Sequence, residues 1–334
     1  MKPVKPKVVI LRGIPNNAVV ELQKRYTVDV NKSGHVLTRA QLLRRVKGAS
    51  AIISLLTDRI DDEVLDAAGN TLKIVANYAV GFDNIDLGAC EARGVVATNT
   101  PGQLTDSVAE HSMALLLAVA RRICEGDTYI RHGKYVQWEP MLLWGQTLLG
   151  QTIGIVGGGR IGAAFGMMCH NAFRMRVIYS DVAPCTHLEH EAGAKRVSLN
   201  ELLERSDVVS VHCPLLPATH HLLGAAEFSK MKSSAILINT ARGPIIDERA
   251  LVTALKKGKL FGVGLDVFEF EPALVAGLKR CDHVVLTPHI GSATRGAREM
   301  MASMAAANVT AVLQGRSAPN PVTKYADPCR SLDK

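Results

Sequence analysis

The sequence predicts an α/β protein made of two doubly wound parallel-sheet domains, and three observations carry that expectation. At 334 residues the chain is long enough for two domains of roughly 150 residues each. Short apolar runs alternate with helical patterns in two separate series along the chain. A glycine-rich turn stands between the first run and the first helix of the second series.

In the first series KVVILRG, SAIISLL, LKIVANYAVG and GVVATNT have the length and apolar content of buried strands. AVVELQKRY, RAQLLRRVKG, DEVLDAA and LGACEARG between them repeat at helical spacing. Such alternation requires a parallel sheet covered on both faces, and the series ends near Thr100-Pro101. LTDSVAEHSMALLLAVARR follows, with Thr105 or Asp106 as a plausible N-cap. Its apolar pattern is too wide for one exposed face, so something besides its own domain is expected to cover it, a partner subunit being one candidate. GKYVQWEPMLLWGQTLLGQ holds both tryptophans, shows no period and reads as an extended arm. The second series gives six strands, QTIGIVG, RVIYSD, DVVSVHC, AILINTA, GVGLDVF and HVVLTPH, with helices between them. Beyond it GAREMMASMAAANVTAVLQG is a long helix ending at Gly315, and the tail NPVTKYADPCRSLDK is polar and expected to be loose.

Composition narrows the function classes. Hydrophobic residues make up 47% and charged residues 21%, which suits a globular protein and not a disordered one. The longest apolar run, MALLLAVA, falls far short of the roughly 20 residues a membrane span needs, so no membrane partner is expected. The N-terminus lacks the apolar stretch and cleavage site of a signal peptide. Seven cysteines without a CxxC fit neither a disulfide framework nor a zinc ribbon, and imply a reducing cytoplasm. Cys185, His187 and His190 are close in sequence but read as a solvated loop, and no metal is expected. A formal charge of +8 spread over scattered lysines and arginines, with six tyrosines and two tryptophans, favours small anionic metabolites over nucleic acid.

GGGRIG, residues 157 to 162, fits GxGxxG through Gly157, Gly159 and Gly162. Its place between a strand and a helix strengthens it: the first glycine allows the tight turn, the second lets amides reach a pyrophosphate, and the third lets helix and strand pack closely. Asp181 ends the next strand, 19 residues past Gly162, where a carboxylate can accept from both ribose hydroxyls and repel a 2′-phosphate. No arginine follows it closely in sequence, so NAD(H) is favoured over NADP(H). Arg242, Glu271 and His289 each stand just beyond a strand of the same series, at the edge where doubly wound sheets bind ligands. Together they could act on a carbonyl acid. Arg242 would clamp a carboxylate and carbonyl oxygen, His289 would exchange a proton, and Glu271 would fix the imidazole tautomer.

NYAVGFDNIDL, TPGQLTDSVAEH, TIGIVGGGRIG, MKSSAILINTARGPIID, GLDVFEFEP and LTPHIGSAT together resemble the D-isomer-specific 2-hydroxyacid dehydrogenases, in the sub-group of glyoxylate/hydroxypyruvate and 2-ketogluconate reductases. The resemblance implies Arg242, Glu271 and His289 as the catalytic set, with the amides of Val80 and Gly81 on the substrate carboxylate. To the cofactor side it adds Arg160, Ile161, Cys213, Pro214, Thr219, Thr240, Ala241 and Gly291, with Asp266 against the nicotinamide amide. It implies a flavodoxin-like substrate domain of residues 1–100 and 290–334, into which a Rossmann domain of residues 101–289 is inserted. It also implies a homodimer through the helix after the crossover and the arm. Closure of the two domains near Pro101 and Pro288 would expel water. Related formate dehydrogenases carry glutamine in place of Glu271, and phosphite dehydrogenases lysine in place of Val80, so both activities are disfavoured. The reaction implied is NADH-dependent reduction of glyoxylate or hydroxypyruvate to the 2-hydroxy acid. The alternatives are a 2-ketogluconate or other sugar-acid reductase, and a dinucleotide-sensing, corepressor-like binding protein.

Overall fold

The computed structural model describes residues 5–102 and 104–322, which form two compact units. One runs to Leu104 and resumes at Ala293; the other spans Thr105 to Ser292.

In the first unit five parallel strands, β1 (Lys7–Ile10), β2 (Thr27–Val30), β3 (Ala51–Ser54), β4 (Ile74–Asn77) and β5 (Val96–Thr98), lie in the order β5-β4-β3-β1-β2, the flavodoxin-like sequence of strands. The connecting helices are α1 (Asn16–Gln23), α2 (Arg39–Arg45), α3 (Asp62–Ala68) and α4 (Leu87–Ala92). Side chains start most of them: Thr38 and Gln41 form a capping box on α2, and Asp61 and Asp86 accept the amides of Val64 and Ala89 at the heads of α3 and α4. Val9, Ile52 and Val75, neighbours on one sheet face, pack with Val64 and Leu65 of α3.

The second unit opens with α5 (Thr105–Ala120) and α6 (Ile123–Arg131). Its seven strands are all parallel: β6 (Thr152–Val156), β7 (Arg176–Ser180), β8 (Lys195–Arg196), β9 (Val208–Val211), β10 (Ile236–Asn239), β11 (Gly262–Leu265) and β12 (Val284–Leu286). They lie in the order β12-β11-β10-β9-β6-β7-β8. The strand order reverses beside β6, so the crossovers leave the ends of β6 and β9 open to a ligand. Helices α7 (Arg160–Phe173), α8 (Thr186–Ala192), α9 (Leu199–Arg205), α10 (Ala225–Lys230) and α11 (Glu248–Lys256) make the connections. Neighbouring residues of β10 serve opposite faces: Leu237 joins the core with α9, α10 and α11, while Ile236 and Ile238 join the core with α5 and α7. The chain returns to the first unit in α12 (Arg295–Leu313), capped by Thr294, and ends its described course in β13 (Pro321–Val322).

Five features differ from the expectation. Cys185, His187 and His190 lie not in a solvated loop but at the N-cap and within α8, where Cys185 is buried against the core. β13 pairs antiparallel with β5, so the start of the polar tail is an edge strand; residues 323–334 of that tail lie outside the described residues. β2 is too polar, and β8 too short and too polar, to read as a strand from the sequence, and pairing with β1 and β7 makes them so. The helix α6 occupies sequence between the crossover helix and the arm. Of MALLLAVA only Ala114 is exposed, because α5 packs on α7 and on β10 and β11; exposed apolar side chains cluster instead on α6 and the arm, with Val136 88% and Trp138 75% exposed.

Candidate active site

The glycine turn leaves β6 and enters α7. Gly157 has φ +98°, and a Cβ there would lie 2.5 Å from the Cys213 amide nitrogen, so the turn tolerates only glycine and sits against the loop after β9. A Cβ at Gly162 would come 2.1 Å from the Gly157 carbonyl oxygen, whereas one at Gly159 would meet nothing within 4 Å. Gly159 is the N-cap of α7, and no side chain caps it. The amides of Arg160 and Ile161 therefore begin a fourteen-residue helix at a backbone cradle that open space faces. Asp181 closes one side: its carboxylate accepts from the Gly158 amide at 2.6 Å and the Ala183 amide at 3.1 Å. These residues fit a dinucleotide: the head of α7 offers amides to a phosphate and Asp181 offers a carboxylate to hydroxyl groups.

An arginine stands beside Asp181 after all. Arg196, brought in by β8, donates to the carbonyls of Asp181 at 3.0 Å and Val182 at 2.8 Å. Strand pairing places it there, which spacing along the chain could not show. In the loop after β9, Thr219 donates to the Pro214 carbonyl at 2.7 Å and accepts the Leu216 amide at 2.8 Å, which holds the turn beyond Cys213.

Beyond β10, the buried Asn239 shapes the next loop. Its oxygen accepts the Ala241 amide at 3.0 Å and its Nδ2 donates to the Arg242 carbonyl at 2.9 Å. Thr240 meets Ser112 of α5 at 2.8 Å between hydroxyl oxygens. Arg242 donates from Nη1 to the Ala241 carbonyl at 2.7 Å, and a short 3-10 turn, Gly243–Ile245, follows. Sequence reasoning missed Asn239; a polar residue ending the apolar run AILIN was the available signal.

Glu271 and His289 meet. Nδ1 of His289 lies 3.0 Å from Oε2 of Glu271, and Oε1 of Glu271 accepts the Phe268 amide at 3.0 Å. Burial works to raise the Glu271 pKa, but the bond and charge of His289, the Phe268 amide and the charge of Arg242 outweigh it and hold the carboxyl below its ordinary value. Arg242, Glu271 and His289 thus form one electrostatic unit. Behind them Glu248 and Glu269 brace the turn: the Glu269 amide donates to Glu248 at 2.9 Å and the Glu248 amide to Glu269 at 3.3 Å. Burial pushes the Glu248 pKa up to about 6, with the Glu269 amide working against it.

His289 has a left-handed backbone, φ +53°, unusual for a residue with a side chain. Asp266 holds it so. The Asp266 carbonyl accepts the His289 amide at 2.9 Å, and its carboxylate accepts the amides of Ile290 at 2.8 Å and Gly291 at 2.7 Å. Sequence reasoning set Asp266 against the nicotinamide amide; what the structure shows is a carboxylate, 1% exposed, that organises the His289 turn. The same amide bonds keep that turn in the second unit as far as Ser292.

In the first unit Val80 and Gly81 follow β4. The Thr100 amide donates to the Ala79 carbonyl at 3.0 Å, Asn99 donates to the Val80 carbonyl at 2.7 Å, and Asn77 to the Gly81 carbonyl at 2.8 Å. In a trans peptide the following N–H points opposite to the carbonyl, so the amides of Val80 and Gly81 turn away from these anchors.

A doubly wound sheet that carries this glycine cradle, with an acid–base pair on its later strand ends, places the protein among the dinucleotide-dependent oxidoreductases. The profile of the D-isomer specific 2-hydroxyacid dehydrogenase NAD binding domain matches residues 113–291. A glyoxylate reductase of Thermococcus litoralis is 46% identical over 324 residues, covering 96% of this chain and 97% of its own. Among solved structures, the TT0316 protein from Thermus thermophilus superposes with TM-score 0.89 at 47% identity, covering 95% of this chain and 100% of that one. An NADPH-dependent glyoxylate/hydroxypyruvate reductase from Sinorhizobium meliloti, solved with NADP and malonate, superposes with TM-score 0.83 at 30% identity, covering 95% and 97%. The chain belongs to the D-isomer-specific 2-hydroxyacid dehydrogenase family and is an NAD(P)-dependent dehydrogenase.

Proposed function

We propose that this dehydrogenase reduces glyoxylate to glycolate, and similarly small 2-keto acids such as hydroxypyruvate to their D-2-hydroxy acids, with NADH preferred over NADPH. One observation carries the reading: the 3.0 Å contact of His289 Nδ1 with Glu271, in the unit that also holds the glycine cradle. When bound, the nicotinamide supplies the hydride. Gly157, Gly159 and Gly162, with the amides of Arg160 and Ile161, hold the pyrophosphate, and Asp181 holds the ribose. Cys213, Pro214, Thr219, Thr240, Ala241 and Gly291 line the rest of the cofactor path, and Asp266, while it braces the His289 turn, lies toward the nicotinamide.

The chain's own residues do the remaining chemistry. With Nδ1 committed to Glu271, Nε2 of His289 is the nitrogen that gives its proton to the carbonyl oxygen as the C2 alcohol forms. Glu271 fixes that tautomer and stabilises the imidazolium. Arg242 shares the developing charge on the oxygen and binds the carboxylate. The exposed apolar side chains of α6 and the arm form a homodimer interface, and seven cysteines without a CxxC suit a cytoplasmic location.

The test is direct. Purified protein should consume NADH absorbance at 340 nm with glyoxylate, and His289→Ala should lower kcat by about 10²- to 10⁴-fold while NADH binding stays near the wild-type value. A variant that keeps half its activity overturns the assignment. A panel of 2-keto acids including 2-ketogluconate separates the substrate classes, and no turnover on any of them would favour a dinucleotide-sensing role.

A further inference from the structure

Helix α5 presents three polar side chains, Ser107, His111 and Ser112, along its length, and each reaches a different part of the catalytic edge. Ser107 donates to the Gly291 carbonyl at 3.1 Å. Ser112 donates its single proton to the Val108 carbonyl at 2.8 Å, so Thr240 is the donor in the 2.8 Å contact between their hydroxyls. His111 stands between them, with Nε2 3.0 Å from the Thr287 hydroxyl oxygen and 3.3 Å from Oδ1 of Asp266. The helix can come this close because β11 carries glycine where it passes: a Cβ at Gly264 would lie 3.0 Å from Leu115 Cβ.

Donor and acceptor roles follow from the proton count. Thr287 donates its only hydroxyl proton to Asp266 Oδ1 at 2.6 Å, so toward His111 its oxygen can only accept. Asp266 is a carboxylate: burial works to raise its pKa, but the bonds from His111, Thr287, Ile290 and Gly291 outweigh burial and hold it below the ordinary value. Nε2 of His111 therefore carries a proton and shares it between an oxygen that cannot donate and an anion. Asp266 in turn holds the amides of His289, Ile290 and Gly291, which keep His289 in its left-handed conformation.

We propose that His111 is a positioning residue for the proton donor: its Nε2–H, acting through Thr287 and Asp266, sets the His289 turn in the geometry that proton transfer needs. The proposal rests on His289 being that donor. Misplacement of a reacting group by about 1 Å can cost on the order of 10²-fold in rate, and none of these bonds touches the glycine cradle. The loss should therefore be much larger in kcat than in NADH binding, to which Asp266 and Gly291 contribute only at the nicotinamide end.

Glutamine can place an N–H donor near the Nε2 position, and leucine is a similar-sized helix former without one. His111→Leu is expected to lower kcat for glyoxylate by about 10- to 100-fold, with the NADH dissociation constant, read by fluorescence titration, within about threefold of wild type. His111→Gln should recover most of that loss. Thr287→Val, which keeps the volume and deletes the hydroxyl, should lower kcat as His111→Leu does, and decides the matter if the leucine variant does not fold. Three results overturn the proposal: His111→Leu, or where it does not fold Thr287→Val, within twofold of wild-type kcat; His111→Gln as slow as His111→Leu; or NADH affinity falling in step with kcat. His289→Ala is measured beside them. If it keeps half its activity, the donor assignment itself falls, and if it is inactive while His111→Leu is unimpaired, only the role of His111 does.

Discussion

Gly243 follows Arg242 directly, and its lack of a side chain sets how close the Arg242 loop can lie to the Glu271 loop. A Cβ at Gly243 would fall 1.9 Å from the Phe268 carbonyl carbon, 2.1 Å from its oxygen and 2.3 Å from the Glu269 nitrogen. Non-bonded carbons settle at about 3.5–4.0 Å, so Gly243→Ala forces the two backbones apart by more than about 1 Å. Neither backbone yields freely. β10 and β11 pair in register up to Asn239 and Leu265, Asn239 holds the Arg242 carbonyl, and Glu248 holds the Glu269 amide. Overpacking of this kind costs about 1–3 kcal/mol, which should lower Tm by roughly 2–4 °C per kcal/mol. The separation acts on the spacing of Arg242 and Glu271, so kcat with glyoxylate should fall by on the order of 10²-fold, while NADH still binds at the glycine cradle. Initial rates at saturating glyoxylate, with NADH titration and a melting curve, measure all three quantities. A variant with kcat within threefold of wild type would show that this close approach does not set the geometry of the two charged groups.

Asp181→Ala should lose the preference for NADH, and a further Arg196→Ala change should then lower kcat/KM for NADPH, because Arg196 is the cation beside the position a 2′-phosphate would take; unaltered NADH-to-NADPH ratios would remove both assignments. Glu248 titrates at about 6 in the folded protein against an ordinary 4.5, so its protonated form stabilises the fold fully below the ordinary value, and that stabilisation, about 2 kcal/mol, is lost as pH rises through about 6. Glu248→Gln should accordingly gain Tm relative to wild type between pH 5 and pH 8, and a difference in Tm that is the same at both pH values refutes the burial argument. Val136→Asp with Trp138→Asp, at side chains 88% and 75% exposed, should convert a dimer into a monomer by light scattering; a monomeric wild-type protein would end the proposed interface.

Much of the fold is local information and was legible in the residues. Runs such as TIGIV and AILIN declare buried parallel strands because both faces of the sheet are covered. GGGRIG marks the turn into α7 because only glycine accepts the Gly157 backbone and the close packing at Gly162. Boundaries and short edges were less legible: TVDV and KR become strands only where β1 and β7 offer them partners, and Pro321–Val322 only where β5 does.

By itself the sequence determined two doubly wound sheets, the alternation of their main strands and helices, and the glycine turn, since strand and helix periods and turn chemistry are written over a few consecutive residues. Only the tertiary structure decided that Arg196 reaches the carbonyl of Asp181, that His111 and Thr287 close on Asp266, and that Asp266 bends the backbone at His289. Each of these joins residues from different strands or helices. Their meeting depends on how elements pack, which no spacing along the chain encodes.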